Sequence, residues 1–282
     1  MTWTGYDGSV WDITNYRSGV VLLPDGVEGL HNPEVEKYRS SSRAIPGDRL
    51  RGSRTKKRDV FWKIHIWSDG SAQWLARQDA FWRSIHPTRP GTWAVTAGGK
   101  TRTLQCTGMF DDSYPYVVDP LRRGWAQYPV ALEAVQPYWA GETVTFGPWQ
   151  AAPATPFITE GGAPPFHLGS ARAFGKAKAS NAGDVDVWPE WTARGPFDAG
   201  VRFGVAGVTV EVPFAIPSGE DLIVITDPRR PSATLAGTDV TEPLGLQSYA
   251  RVPTGESVSL EVSGTGGGSI SAQLTPLYFR AL

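Results

Sequence analysis

Cysteine is almost absent from this chain. Among 282 residues there is one, Cys106, so no intrachain disulfide can form and a disulfide-stapled scaffold is excluded. A surplus of either charge is lacking too: 27 basic against 28 acidic side chains leave a net charge of -1. Nucleic-acid binding driven by overall charge is therefore not expected. No run of 18 apolar residues occurs, so no membrane insertion is expected. Met1–Val10 lacks both a positive region and an apolar segment, so no secretory signal is visible. The four histidines, His31, His65, His86 and His167, stand far apart and form no metal-binding pattern. There is no Gly-x-Ser-x-Gly nucleophile elbow. Neither a metal nor a cofactor is indicated.

Glycine (32 residues), proline (23) and tryptophan (12) are plentiful. Frequent Gly and Pro suit many short strands and turns. The length suits two domains, divided here as 1–145 and 146–282 across a Gly-, Pro-, Ala- and Thr-rich stretch at 140–165. Short strands are expected at Thr2–Tyr6, Ser9–Ile13 and Gly19–Leu23. Residues 39–58 have no clear period and read as a long basic loop. In Val60–Trp67 the apolar Val60, Trp62, Ile64 and Ile66 alternate with the rest, a strand pattern. Trp74, Leu75, Phe81, Trp82 and Ile85 then fall at helical spacing. This predicts a helix over about 72–85, capped by Ser71 and stopped by Pro87. A hairpin turning at Ala97-Gly98-Gly99 and a strand at Ala126–Val135 follow. The first half thus reads as an antiparallel sheet with one packed helix.

The second half alternates in short runs, at Val201–Val205, Val208–Val212 and Val258–Val262. Leu222–Ile225 is apolar throughout and reads as a strand buried on both faces. Such strands between turns predict a β-sandwich or jelly roll. The fold class is therefore mainly β.

Chemistry is sparse. Gly99-Lys100-Thr101 ends like a phosphate-binding loop but links two strands, with no helix to hold phosphate. The carboxylate pairs Asp111-Asp112 and Asp184-x-Asp186 are the candidates for hydrolytic work, and both read as turn acids. No catalytic set is expected, and the chain reads as a non-enzyme. The basic segment, with Arg49, Arg51, Arg54, Lys56, Lys57 and Arg58, has two readings. It faces a polyanion such as DNA in a channel, or it is a mobile surface loop or one that orders against a neighbouring subunit. Trp3, Trp11, Trp67 and Trp139 are either interface anchors or core, and Trp188 and Trp191 either stack on sugar rings or pack at a sheet edge.

Three groups of residues are recognisable in order. Arg58-Asp59-Val60 leads into the alternating strand, the Trp74–Ile85 helix and the hairpin at Lys100-Thr101-Arg102-Thr103-Leu104. Val130-Ala131-Leu132-Glu133-Ala134 precedes Pro137-Tyr138-Trp139. In the second half come Asn181-Ala182-Gly183-Asp184, Trp188-Pro189-Glu190-Trp191-Thr192, Gly195-Pro196 and Leu222–Asp227 with Arg229-Arg230. This succession resembles the distal tail proteins of long-tailed phages (siphophages). The resemblance implies a virion protein at the tail tip, made in the host cytoplasm, with itself as partner in a hexameric ring. It further implies contact with the tail tube protein, and with hub, fibre or receptor-binding proteins carried by an outer galectin-like sandwich. DNA would pass through the ring, and no catalytic residue carries over. A carbohydrate-binding role for the sandwich is the alternative it leaves open.

Overall fold

The computed structural model describes residues 1–110, 119–150 and 177–282. They form two compact units, one of 1–141 with 278–282 and the other of 142–277. The return of the last five residues to the first unit has no counterpart in the sequence pattern.

The first unit contains β1 (Thr2–Thr4), β2 (Val10–Asp12), β3 (Val20–Glu28), β4 (Val35–Ser42), β5 (Ile45–Thr55), β6 (Arg58–Trp67), α1 (Ser71–Arg83), β7 (Gly91–Ala97), β8 (Lys100–Met109), α2 (Pro120–Arg123), β9 (Trp125–Ala134) and β10 (Trp139–Ala140). Its main sheet runs β2-β1-β7-β8-β9-β6-β3, and each pairing along it is antiparallel. The two ends approach each other, since the Leu22 amide donates to the Ile13 carbonyl at 2.8 Å. The sheet is therefore nearly a closed barrel.

Alternation decides what lies inside. Val60, Trp62, Ile64 and Ile66 of β6 are buried beside Ala126, Tyr128, Val130, Leu132 and Ala134 of β9. The β6 residues between them turn to the other face. Trp3, Trp62, Trp93 and Trp139 run through this core as successive edge-to-face pairs, with centroids 5.3, 5.2 and 5.0 Å apart. Helix α1 adds Trp74 and Phe81. Ser71 is not its cap: Gly70 precedes the first turn, and the Ser71 hydroxyl instead donates to the Leu121 carbonyl. The helix ends at Arg83, where Ser84 Oγ donates to the Phe81 carbonyl at 2.6 Å, before Pro87 is reached. The glycines after Ala97 serve as a hairpin turn, as their positive φ values of 57° and 75° require.

Residues 39–58 are not a loop. β4 and β5 pair with each other over almost their whole length as a separate two-stranded antiparallel ribbon. Exposure on both faces explains why no apolar alternation announces it.

The second unit contains β11 (Val144–Gln150), β12 (Ala177–Ser180), β13 (Glu190–Arg194), β14 (Val201–Val205), β15 (Val208–Val212), β16 (Asp221–Ile225), β17 (Ser232–Leu235), β18 (Thr238–Asp239), α3 (Thr241–Leu244), β19 (Ser257–Ser263) and β20 (Ser269–Leu274). The short β21 (Leu277–Tyr278) straddles the division between the units. A sheet in the order β11-β20-β13-β16-β17-β18 and another in the order β12-β19-β14-β15 enclose one core. Trp191 of the first sheet stacks on Phe203 of the second, centroids 5.2 Å apart. This is a β-sandwich. β16 is not buried on both faces: Leu222 and Val224 point into the core, while Ile223 is 37% exposed on the outside.

Candidate interaction surfaces

The basic segment divides into two parts with different fates. Arg58 opens β6 and is 3% exposed. Its guanidinium donates to the carbonyls of Pro137 (2.6 Å), Gly29 (2.7 Å), Phe279 (2.8 Å) and His31. No carboxylate pairs with it in the described residues. Burial pulls its pKa down to about 10, still high enough to keep it charged at neutral pH. Arg58 is thus a buried clasp and not part of a channel-facing loop. It joins the end of β3, the turn before β10 and the C-terminal residues. Beside it is a recess of about 320 Å³ lined by residues including Glu28, His31, Glu34, Lys57 and Asp59.

The other basic residues are exposed. Lys57 pairs with Glu133 at 2.5 Å, and Lys56 with Glu34 at 2.7 Å, closing the base of the ribbon. Those carboxylates, hydrogen-bonded to the ammonium groups, raise the pKa of both lysines. Arg49, Arg51 and Arg54 lie on β5 and are exposed, and Arg51 Nε donates to Ser40 Oγ at 2.8 Å. Residues 34–56 carry Lys37, Arg39, Arg43, Arg49, Arg51, Arg54 and Lys56 against Glu34, Glu36 and Asp48, a net of +4. The remainder of the chain therefore carries -5.

The candidate aromatics also divide. Trp3, Trp139 and Trp191 are core residues, at most 1% exposed. They are removed from the interface and ligand candidates, because no partner can reach them. Trp11, Trp67 and Trp188 are half-buried. Trp67 stacks on Tyr16, centroids 5.1 Å apart, and its indole N–H donates to the Tyr16 carbonyl at 3.2 Å. Tyr16 is 62% exposed, so this pair presents aromatic surface outward. Sequence reading missed Tyr16, whose run has no period to mark it. Trp11 meets Phe81 edge-on at 5.6 Å. Trp188 has the Arg251 guanidinium 5.6 Å from its ring centroid.

Asp186 Oδ1 accepts from the Thr254 amide at 3.1 Å, and the Asp184 amide donates to the Leu277 carbonyl at 2.7 Å. Asp111, Asp112 and His167 lie outside the described residues. His86 Nδ1 accepts from the amides of Thr88 and Arg89, both at 3.1 Å, which is a local turn role. His65 Nδ1 is buried with no hydrogen-bond partner among the described residues, and burial holds its pKa below the usual histidine value. Among the described residues no group of three His, Cys, Asp or Glu is placed to hold a metal ion. Among them, too, no helix is long and apolar enough to cross a membrane.

An antiparallel near-barrel with one long helix, joined to a β-sandwich, is shared with solved phage proteins. The SPP1 Dit (gp 19.1) protein, described as a paradigm of the hub adsorption apparatus in phages infecting Gram-positive bacteria, matches with a TM-score of 0.65 and 12% identity. The match covers 97% of this chain and 98% of that one. The chain has the fold of a distal tail protein. Chains of the phage P2 baseplate in its activated conformation are similar in fold as well. One, with Ca, has a TM-score of 0.56 at 9% identity and 96% coverage of both chains. Another, with Sr, has a TM-score of 0.54 at 10% identity, covering 97% of this chain and 96% of that one. At these identities backbone arrangement persists while side-chain agreement does not. Accordingly, neither family profiles nor curated proteins give a match to the sequence.

Proposed function

We propose that this chain is a non-enzymatic structural protein of a long-tailed phage tail tip. In this reading it assembles into a ring, of six copies, that joins the tail tube to the hub and receptor-binding parts. The observation that carries the reading is the fold match over both units with a phage hub adsorption protein.

Physical features of the first unit favour self-assembly. A two-stranded ribbon is at best marginally stable alone in water, yet β4 and β5 pair over eight and eleven residues with almost nothing covering them. The exposed Val35 and Leu50 share one face of the ribbon, apolar area of the kind a neighbouring copy covers. Trp67 with Tyr16, and Trp11, supply aromatic contact area of the kind enriched at interfaces. Contacts of this head-to-tail type close into a ring when the rotation between copies allows it.

Light scattering combined with negative-stain imaging of the purified protein tests this. A ring of about six copies, alone or on addition of the tail tube protein, is expected. A monomer that persists both alone and with that partner would overturn the proposal.

A further inference from the structure

The ribbon has two chemically different faces. Residues paired across an antiparallel ladder share a face, and faces alternate along each strand. The pairs Val35–Thr55, Lys37–Ser53, Arg39–Leu50 and Ser41–Asp48 define one face. Here Val35 and Leu50 are exposed, and Arg39 is placed 3.8 Å from Asp48. The pairs Glu36–Arg54, Tyr38–Gly52 and Ser40–Arg49 define the other. The register slips between Tyr38 and Arg39, making Arg51 the extra residue of a bulge. Its bond to Ser40 Oγ directs Arg51 to this second face as well. The bulge thus adds a third arginine where strict alternation would give two. Arg49, Arg51 and Arg54 surround Tyr38, which is 46% exposed, and Glu36 is the one acid among them. No salt bridge within 4.0 Å engages these three arginines among the described residues.

We propose that this second face, through Arg49, Arg51 and Arg54 around Tyr38, binds the phosphate backbone of duplex DNA. The inference deepens the tail-tip reading and rests on it for the source of the DNA. Guanidinium groups present planar forks that match phosphate oxygens, and neutralised phosphates release counterions. An acidic protein surface is the less favoured occupant. Protein interfaces concentrate apolar area at their centre, and the exposed aliphatic Val35 and Leu50 lie on the opposite face. A neighbouring copy fits that opposite face, leaving the arginine face for DNA. With a net charge of -1 the chain has no global attraction for DNA, so any binding must come from a local surface such as this one.

Fluorescence anisotropy of the full chain with a labelled duplex of about 30 base pairs, across a salt series, tests the proposal. Affinity is expected to fall steeply with salt. The triple variant R49Q/R51Q/R54Q is expected to bind at least about tenfold more weakly, with a salt slope reduced by roughly three. Variant K37Q/R39Q, on the other face, is expected to bind as the parent does. Light scattering on the same samples reads assembly separately, and the anisotropy is read on ring or monomer alike. Absence of binding at low salt overturns the proposal, as does equal loss in the two variants. So does a triple variant that dissociates the ring, because the arginine face then packs on a neighbouring copy. A parent that forms no ring yet loses DNA in the triple variant sustains the contact and sinks the ring.

Discussion

Arg58 concentrates much of the first unit's organisation in one side chain. Four carbonyls from three separated segments converge on it. Hydrogen bonds to a charged group contribute about 1.5–3 kcal/mol each, and burial of the charge offsets part of that. Arg58→Ala is therefore expected to destabilise the first unit by about 3 kcal/mol, measured by urea denaturation. A loss no larger than for Lys57→Ala would show that the clasp contributes little. His65 gives a pH effect. Burial holds its folded-state pKa below that of an unfolded histidine, about 6.5. The unfolded chain therefore takes up the proton first as pH falls. His65 withdraws no stability above about pH 6.5 and increasingly does so below it, until the folded form also protonates. Comparing His65→Phe with the parent between about pH 7.5 and pH 5 should give a flatter profile for the variant. Parallel profiles would mean that His65 is hydrated. Neither role was legible in the sequence. Arg58 stands in a basic run whose other members are exposed, and His65 sits on the face that alternation assigns to the outside.

Elements announced themselves in the sequence to the extent that they bury one face. β6 shows four apolar residues in alternation because its inner side meets the indole core, and β14 and β15 repeat the pattern over Phe203. Ile223 misled, because an exposed isoleucine and a buried one look alike in a short apolar run. The ribbon stayed hidden for the opposite reason: it buries almost nothing, so its strands carry no hydrophobic period. Its interaction surface was legible as charge but not as two faces, since the bulge that brings Arg51 beside Arg49 and Arg54 is a matter of register. Turn chemistry leaves room for improvement. Ala206 before Gly207 and Ala236 before Gly237 have φ of 49° and 47°, a region disfavoured for alanine and tolerated by asparagine. Replacing both alanines with asparagine is expected to stabilise the sandwich by roughly 1 kcal/mol, read as a higher melting temperature. An unchanged or lower value would mean the turns are set by other contacts.

At the scale of the whole molecule, fold and assembly are separable. The core of the first unit is built by strands β1 to β3 and β6 to β10 with helix α1, and none of the described side chains of residues 35–55 belongs to it. The ribbon's base is already closed without them: the Lys56 amide donates to the Glu34 carbonyl at 3.0 Å, and the Lys56 ammonium meets the Glu34 carboxylate. A chain in which residues 35–55 are replaced by a short glycine-containing turn should therefore keep its fold. Its unfolding free energy from urea titration is expected to match the parent's within about 0.5 kcal/mol, as for surface changes that touch no core. Assembly should respond differently, because the ribbon carries the face with Val35 and Leu50 that fits a neighbouring copy. Light scattering of the shortened protein is expected to give the mass of one chain. A shortened protein that still forms the ring would move the contact to the Trp67–Tyr16 surface, while one that fails to fold would show that the ribbon stabilises its own subunit.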